Sequence, residues 1–132
     1  RIRPDLDHFA ATAFEEAARA YVAKLAKNGR LSFLPERIGG WWSRDAEIDV
    51  LAISQSEKVA LVGECKWSIN PLGINVLEDL KRKAQVLMEY DDRIQSVQYA
   101  LFARSGFTKE LGEQATHEGI GLYTVEEIVK AE

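Results

Sequence analysis

Three carboxylates and one lysine interrupt two segments whose sequences otherwise indicate buried β-strands. The first segment is residues 47–50 (EIDV), and the second, after a short polar break, is residues 63–67 (GECKW). Burying a charge is costly unless the charge is paired or binds a metal. An aspartate on one strand, Asp49, and Glu-x-Lys on the next, Glu64 and Lys66, form the layout of a metal-dependent centre that cleaves phosphodiester bonds. These two strands are therefore the predicted functional site.

The loop between the two segments determines which side chains share a face of the sheet. Residues 55–58 make a connection of the length typical of a β-hairpin, which would pair Ser54 with Val59. Because alternate residues point to the same side, this register puts two opposed pairs on one face: Asp49 with Glu64, and Glu47 with Lys66. The other face is apolar and is predicted to pack on the core: Ile48, Val50, Ala52, Leu61, Gly63 and Cys65.

This register brings like charges close together. Directly opposed residues have Cβ atoms roughly 4.5–5.5 Å apart, a distance at which Asp49 and Glu64 repel each other. A divalent cation between the two carboxylates turns that repulsion into attraction. A slip of one residue would move the acids to opposite faces, so the prediction depends on the short loop.

The composition limits the classes of protein to consider. With 132 residues, 46% hydrophobic and 29% charged, the chain fits one globular domain spanning residues 1–132. A net charge of −4 argues against a broad, nonspecific nucleic-acid binder. No apolar run approaches the ~18 residues of a membrane span. The lone Cys65 and the lack of a signal peptide predict a reducing, cytoplasmic setting. Because the chain begins at Arg1 and not at Met, we expect a fragment of a longer protein.

Apolar periodicity and cap signals predict the order α-β-β-β-α-β-α-β-α. The predicted elements are a helix over 6–27, strands over 31–42, 47–54 and 59–67, a helix over 75–90, a strand over 96–103, a helix over 108–117, a strand over 120–123 and a final helical turn. Asn28 and Gly29 close the first helix. Two capping boxes are predicted: Asn75 with Glu78, and Thr124 with Glu127. The order indicates one mixed-sheet α/β domain.

These features resemble the PD-(D/E)XK nuclease superfamily, which has the restriction-endonuclease-like fold with an α-β-β-β-α-β core. The resemblance covers nearly the whole chain and is carried by residues 14–16 (FEE), 40–44 (GWWSR), 47–50 and 63–67. More closely, the chain looks like the nuclease-like domain at the C terminus of archaeal P-loop ATPases. It departs from the literal motif because Ile48, not proline, precedes Asp49. It also lacks GxxxxGK[ST], so any ATPase activity would lie outside it.

The resemblance implies a set of catalytic and metal-binding residues. Asp49 and Glu64 would be the principal ligands of Mg²⁺, with the backbone carbonyl of Cys65 as a further ligand and Mn²⁺ as a substitute metal. Lys66 would orient or help deprotonate the attacking water and offset charge on the phosphorane. Glu15 would sit near the metal, with Glu16 as the competing choice.

The resemblance further implies DNA, rather than RNA, as the substrate. Lys81, Arg82 and Lys83 of the following helix could hold the nucleic-acid backbone, and Gln85 could join the site. Arg44 is a further candidate contact with nucleic acid. Glu47 is expected to form a salt bridge with Lys66 or Arg44 rather than to bind the metal.

Expected partners are a P-loop ATPase domain in the same longer chain and a second copy of this chain; no membrane is expected. Two alternatives to a nuclease stay open. One is a catalytically inactive nuclease-fold module that mediates DNA or protein contacts for an attached ATPase. The other is a structural ion-pair network on a half-exposed sheet face.

Overall fold

The computed structural model describes residues 3–131, with side chains from residue 10 onward. Residues 1, 2 and 132, the ends of the predicted 1–132 domain, lie outside this part. In chain order the elements are α1 (Arg3–Lys27), β1 (Arg37–Trp42), β2 (Glu47–Ser54), β3 (Val59–Lys66), α2 (Ile74–Tyr90), β4 (Ser96–Ala103), α3 (Lys109–Glu118), β5 (Gly121–Thr124) and α4 (Val125–Lys130). The predicted order of helices and strands is confirmed.

The five strands form one sheet in the order β1-β2-β3-β4-β5. Strands β1, β2 and β3 are antiparallel neighbours, whereas β3, β4 and β5 run parallel. Helices α1 and α4 cover one face, and α2 and α3 cover the other. This mixed sheet between helices confirms the predicted α/β class. No helix within residues 3–131 is both long and apolar enough to cross a membrane.

The two faces of the sheet carry separate hydrophobic cores. On the α2 side, Leu77, Leu80, Ala84 and Leu87 recur at helical spacing and pack on alternate strand residues such as Val62. On the α1 side, the buried residues come from both layers: Phe14, Ala18, Val22, Val50, Ala52, Leu61, Cys65 and Phe102. Because both faces of β2 and β3 are covered, almost every residue of these strands is buried. A charged side chain on them therefore needs a specific reason.

Several local predictions hold. Gly29 adopts φ 70° after α1, and Arg30 N–H donates to the Leu25 carbonyl, as expected for a glycine that ends a helix. The capping box of Thr124 and Glu127 is present at the start of α4. In both cases the partners are a few residues apart, so local chemistry is sufficient.

Two local predictions are wrong. The first strand begins at Arg37, not at residue 31, because Pro35 has no N–H to give to a strand ladder and residues 31–36 form turns and irregular chain. Helix α2 begins at Ile74 with Gly73 as its N-cap and without a side-chain cap hydrogen bond. Asn75 therefore lies inside the helix and does not form the predicted box with Glu78.

The central hairpin has the predicted register over most of its length, from Ser54–Val59 to Val50–Gly63. Beyond Val50 the two strands pair with their other neighbours, β2 with β1 and β3 with β4. The predicted direct pairing of Asp49 with Glu64, and of Glu47 with Lys66, is therefore wrong. Strands β2 and β3 separate just where the acidic residues begin.

A β-bulge also changes one predicted face. Gly39 pairs with Leu51 but Trp41 pairs with Ile48, so β2 has one more residue than β1 in this interval. The extra residue reverses the alternation, and Ile48 packs in the core on the α2 side, not with Val50 as predicted. The remaining predicted apolar residues lie on the α1 side as expected. The bulge lies at Asp49.

Candidate active site

Of the two charged residues at the end of β3, Glu64 and Lys66, Glu64 is the more buried. Its residue is only 5% exposed. Lys83 Nζ of α2 donates to Oε1 at 2.9 Å, and Lys66 Nζ lies 3.5 Å from Oε2. Burial raises the pKa of Glu64, the hydrogen bond from Lys83 opposes that rise, and the negative charge of Asp49 adds to it. Glu64 therefore sits where a full negative charge requires cations close by.

Asp49 lies in the bulge of β2, held by hydrogen bonds from two elements. Its Oδ2 accepts from the Cys65 N–H at 2.9 Å, and its backbone carbonyl accepts from Arg19 Nη1 of α1 at 2.7 Å. Gly40 faces this bulge, and a Cβ there would lie 3.6 Å from the Asp49 carbonyl oxygen. Burial raises the pKa of Asp49 despite the hydrogen bond from Cys65.

The choice between Glu15 and Glu16 is answered by position. Glu15 is half-buried on the side of α1 that faces β2, and Glu16 is exposed. Burial raises the pKa of Glu15, and the nearby charge of Asp49 raises it further while Arg19 lowers it. The structure thus brings Glu15, and not Glu16, to the acidic residues of the sheet.

A shallow cleft opens between α1 and the bulged end of β1 and β2. Its lining includes two carboxylates from β2 and one from α1, with two tryptophans at its wall: Glu15, Arg19, Trp41, Trp42, Glu47 and Asp49. Glu47 was expected to pair with Lys66 or Arg44. Instead Lys66 pairs with Glu64, and Arg44, whose side chain is 89% exposed, lies 4.0 Å from Asp45. The separation of β2 from β3 moves Glu47 away from its predicted partner.

The three basic residues at positions 81–83 of α2 point in different directions because neighbours on a helix are about 100° apart. Lys83 contacts Glu64, Lys81 Nζ lies 2.7 Å from Glu118 on α3, and Arg82 Nη2 lies 3.1 Å from Asp79. Gln85 is exposed, two residues from Lys83 and so on the opposite side of the helix. The structure brings only Lys83 of this predicted nucleic-acid-binding set to the acidic site.

Aromatic contacts hold the strand ends around the site. Trp41 packs against Tyr90 with ring centroids 5.7 Å apart, whereas its neighbour Trp42 is 75% exposed. Trp67, which follows Lys66, packs against Phe14 of α1 with a centroid distance of 5.2 Å. The adjacent tryptophans 41 and 42 therefore do not share a face, as strand alternation requires.

Sequence reasoning overlooked two features. Arg19 was not considered, although it lies four residues after Glu15 and so on the same side of α1, which was the available signal. The sequence predicts that Lys83 contacts the nucleic-acid backbone, but its ammonium group is enclosed beside Glu64. Burial lowers the pKa of Lys83, but the hydrogen bond that Lys83 donates to Glu64 and the nearby carboxylates outweigh it, and the net shift is upward.

The donor set at the site suits only certain metals. Among the described residues, no group of three or more His, Cys, Asp or Glu side chains is arranged to hold a metal ion. The side chains described, those of residues 10–131, therefore form no closed structural cage. Mg²⁺ is commonly bound by one or two carboxylates together with waters and substrate phosphate. Asp49 and Glu64 supply that set of hard oxygen ligands, so the chemistry of the residues fits Mg²⁺ or Mn²⁺.

A comparison with protein families matches residues 1–84 to the DUF234 model, described as archaea bacterial proteins of unknown function. This match covers well over half of the chain. The chain belongs to the DUF234 family. A relative of this chain, "Uncharacterized protein MJECL04" of Methanocaldococcus jannaschii, is 32% identical over 114 residues. That alignment covers 85% of this chain and 25% of the relative, so the chain spans about a quarter of the relative's length.

Two solved structures resemble this DUF234 chain. A repair endonuclease from Pyrococcus abyssi has a TM-score of 0.51 at 20% identity, covering 82% of this chain and 46% of that one. An EndoMS–dsDNA complex has a TM-score of 0.45 at 22% identity, covering 82% of this chain and 44% of that one. The Pyrococcus structure shows that the fold of this chain is similar to that of a repair endonuclease.

Proposed function

We propose that this DUF234 chain is a metal-dependent nuclease that hydrolyses DNA phosphodiester bonds. One observation carries the proposal: Asp49, Glu64 and Lys66 meet at one end of the sheet. Burial there is unfavourable for the charged forms of the two carboxylates. The fold, similar to that of a repair endonuclease, supports it. The resemblance to PD-(D/E)XK nucleases assigns these residues to the same chemistry.

The charges of the site argue for a cation. Four carboxylates and three cationic side chains surround the cleft and the end of β3: Glu15, Glu47, Asp49, Glu64, Arg19, Lys66 and Lys83. The excess is one negative charge, which would repel a phosphodiester. A divalent cation reverses the sign, and the site then attracts phosphate.

Each residue has a distinct task in the proposed reaction. Asp49 and Glu64 would hold Mg²⁺ with the Cys65 carbonyl, and bound Mg²⁺ supplies polarisation of a phosphate oxygen and a water of lowered pKa. Lys66 has a side chain 45% exposed, so its ammonium group can reach a substrate and offset the negative charge that develops there. Arg19 keeps Asp49 in place by donating a hydrogen bond to the backbone carbonyl of Asp49.

DNA is the proposed substrate because the structural relative acts in repair and because the resemblance favours DNA over RNA. The P-loop ATPase partner and the homodimer stay predictions of the resemblance.

The decisive test is cleavage of supercoiled, linear and branched DNA with Mg²⁺ or Mn²⁺. We expect metal-dependent cutting that Asp49→Ala and Lys66→Ala each reduce by about 100-fold or more, because each removes a group that stabilises the transition state. Lys109→Ala, on the exposed start of α3, is the matched control and should cut like the wild type. Cutting that survives both site variants would place the activity elsewhere. A folded wild type that does not cut would favour the inactive module.

A matched pair on α1 tests the role of the helix carboxylate. Glu15→Gln should lower the cleavage rate by about 10–100-fold, the usual effect of losing a group that supports metal ligands. Glu16→Gln changes the same chemistry one residue away on the exposed side and should stay within about twofold of the wild type. Equal losses in the two variants would contradict the placement of Glu15 at the site.

A further inference from the structure

We propose that Lys83 and a divalent cation are alternative counter-ions of Glu64, and that Lys83 moves to Asp79 when the cation binds. Lys83 would thus be a positioning residue that occupies the metal ligand until metal arrives. This inference rests on the proposed function because it takes Glu64 to be a metal ligand. It goes beyond that function by assigning the metal-free state a defined partner for Glu64.

The geometry of Lys83 differs from that of Lys66. Lys83 Nζ lies 2.9 Å from Glu64 Oε1 and its side chain is 14% exposed, whereas Lys66 Nζ lies 3.5 Å from Glu64 Oε2 and its side chain is 45% exposed. Lys83 is therefore the enclosed partner of a buried carboxylate. A lysine whose only role was to contact DNA would be expected to be exposed, not enclosed.

Lys83 has a second acceptor within a short movement. Asp79 Oδ2, one helical turn earlier on α2, lies 3.6 Å from Lys83 Nζ and is about half exposed. A divalent cation bound to the Glu64 carboxylate would lie close to the ammonium group of Lys83 in a buried site, where the repulsion between the two cations is strong. Moving Lys83 towards Asp79 relieves that repulsion and keeps its charge paired.

The first consequence concerns the metal-free protein. Lys83→Met leaves Glu64 buried with only Lys66 near it, so Tm in EDTA should fall by roughly 5–10 °C. Lys81→Met is the matched control, because it removes a lysine of the same helix that pairs at 2.7 Å with Glu118 instead. If Lys83→Met does not fold, Lys83→Gln, which keeps a donor for Glu64 without charge, takes its place.

The second consequence concerns the metal. Titration with Mg²⁺, Mn²⁺ or Ca²⁺, followed by calorimetry and by Tm without nucleic acid, should show tighter binding in Lys83→Met by about fivefold or more. Added metal should also recover much of the lost Tm, since binding stabilises the folded state alone. Lys81→Met should bind metal like the wild type.

The transfer to Asp79 is tested by a double-mutant cycle. Asp79→Asn should weaken metal binding about two- to threefold when Lys83 is present, because the displaced lysine loses its new partner. In the Lys83→Met background, Asp79→Asn should have no effect on metal affinity. An equal effect in both backgrounds would overturn the transfer.

Unchanged or weaker metal binding in Lys83→Met would overturn the inference, as would the lack of metal binding in both the wild type and Lys83→Met. If the wild type still cuts DNA with metal in those cases, the nuclease stands and only the role of Lys83 falls. If the metal results are as expected but no DNA is cut, the Glu64 metal site stands without the nuclease.

Discussion

At the scale of single residues, the site keeps carboxylates where their charge is unfavourable. Burial is the main cause of the raised pKa of Asp49 and of Glu64, and hydrogen bonds from Cys65 and Lys83 only partly oppose it. If only stability mattered, these positions would be better filled by residues that cannot carry a charge. The cost is consistent with the proposed role of these charges, which is to bind a cation.

Asp49→Asn tests this cost through pH. Asp49 keeps its proton to a higher pH in the folded state than in the unfolded chain, where the pKa of an aspartate is about 3.9. The free energy of unfolding therefore falls as pH rises through the interval between the two pKa values. Asparagine keeps an oxygen for the Cys65 N–H without charge. In EDTA at pH 7.5 we expect it to stabilise the protein by about 0.5–2 kcal/mol.

Urea unfolding at pH 7.5 and at pH 4 measures the difference. The advantage of Asp49→Asn should shrink at the lower pH, where the aspartate of the folded wild type carries a proton more often than at pH 7.5. An advantage of equal size at both values would show that charge is not its cause.

At the scale of elements, the divergence of β2 and β3 creates the space for the site. The strands pair up to Gly63, and Glu64 follows it directly. Gly63 lets β3 approach its neighbours closely: a Cβ there would lie 2.9 Å from Phe102 Cε1 and 3.1 Å from Val50 Cβ. Phe102 is fully buried and stacks on Tyr123 at 5.4 Å, so it has little room to move. The strand that carries Glu64 therefore depends on this glycine.

Gly63→Ala should destabilise the fold by about 1–3 kcal/mol, because it overpacks the core on the α1 side. Gly39→Ala is the matched control in β1, since nothing lies within 4 Å of a Cβ at that position. Denaturant unfolding of both variants measures the effect. A Gly63→Ala protein as stable as Gly39→Ala would mean that Phe102 can yield and that the contact is not tight.

At the scale of the whole molecule, the site lies where both helical layers meet one end of the sheet. Helix α1 brings Glu15 and Arg19 from one face, and α2 brings Lys83 from the other. The net charge of −4 gives no general attraction for DNA, so under the proposed function the local arrangement would have to supply it. The site is built from residues of the sheet and of both helical layers, so it forms only when the whole fold is intact.

Much of this arrangement could be predicted from the sequence because it depends on local chemistry. The period of apolar residues identifies the helices and strands, and the short loop at residues 55–58 determines the hairpin register from Ser54–Val59 to Val50–Gly63. The cap formed by Thr124 and Glu127 involves residues three apart. The acids stood out because charges within buried strands are rare. Asn75 shows the limit, since the helix begins at Ile74 with Gly73 as its N-cap, and Asn75 therefore lies inside the helix.

The tertiary structure decided what depends on contacts between distant segments. The bulge at Asp49 arises from pairing with β1, and it reversed the face of Ile48. The separation of β2 from β3 beyond Val50 moved Glu47 away from Lys66. The packing of α2 on the sheet placed Lys83 on Glu64. The sequence by itself determined which residues could carry the chemistry, because residue type and local spacing define that. Only the packed layers determined which charges meet, because side-chain distances between elements depend on register and helix position.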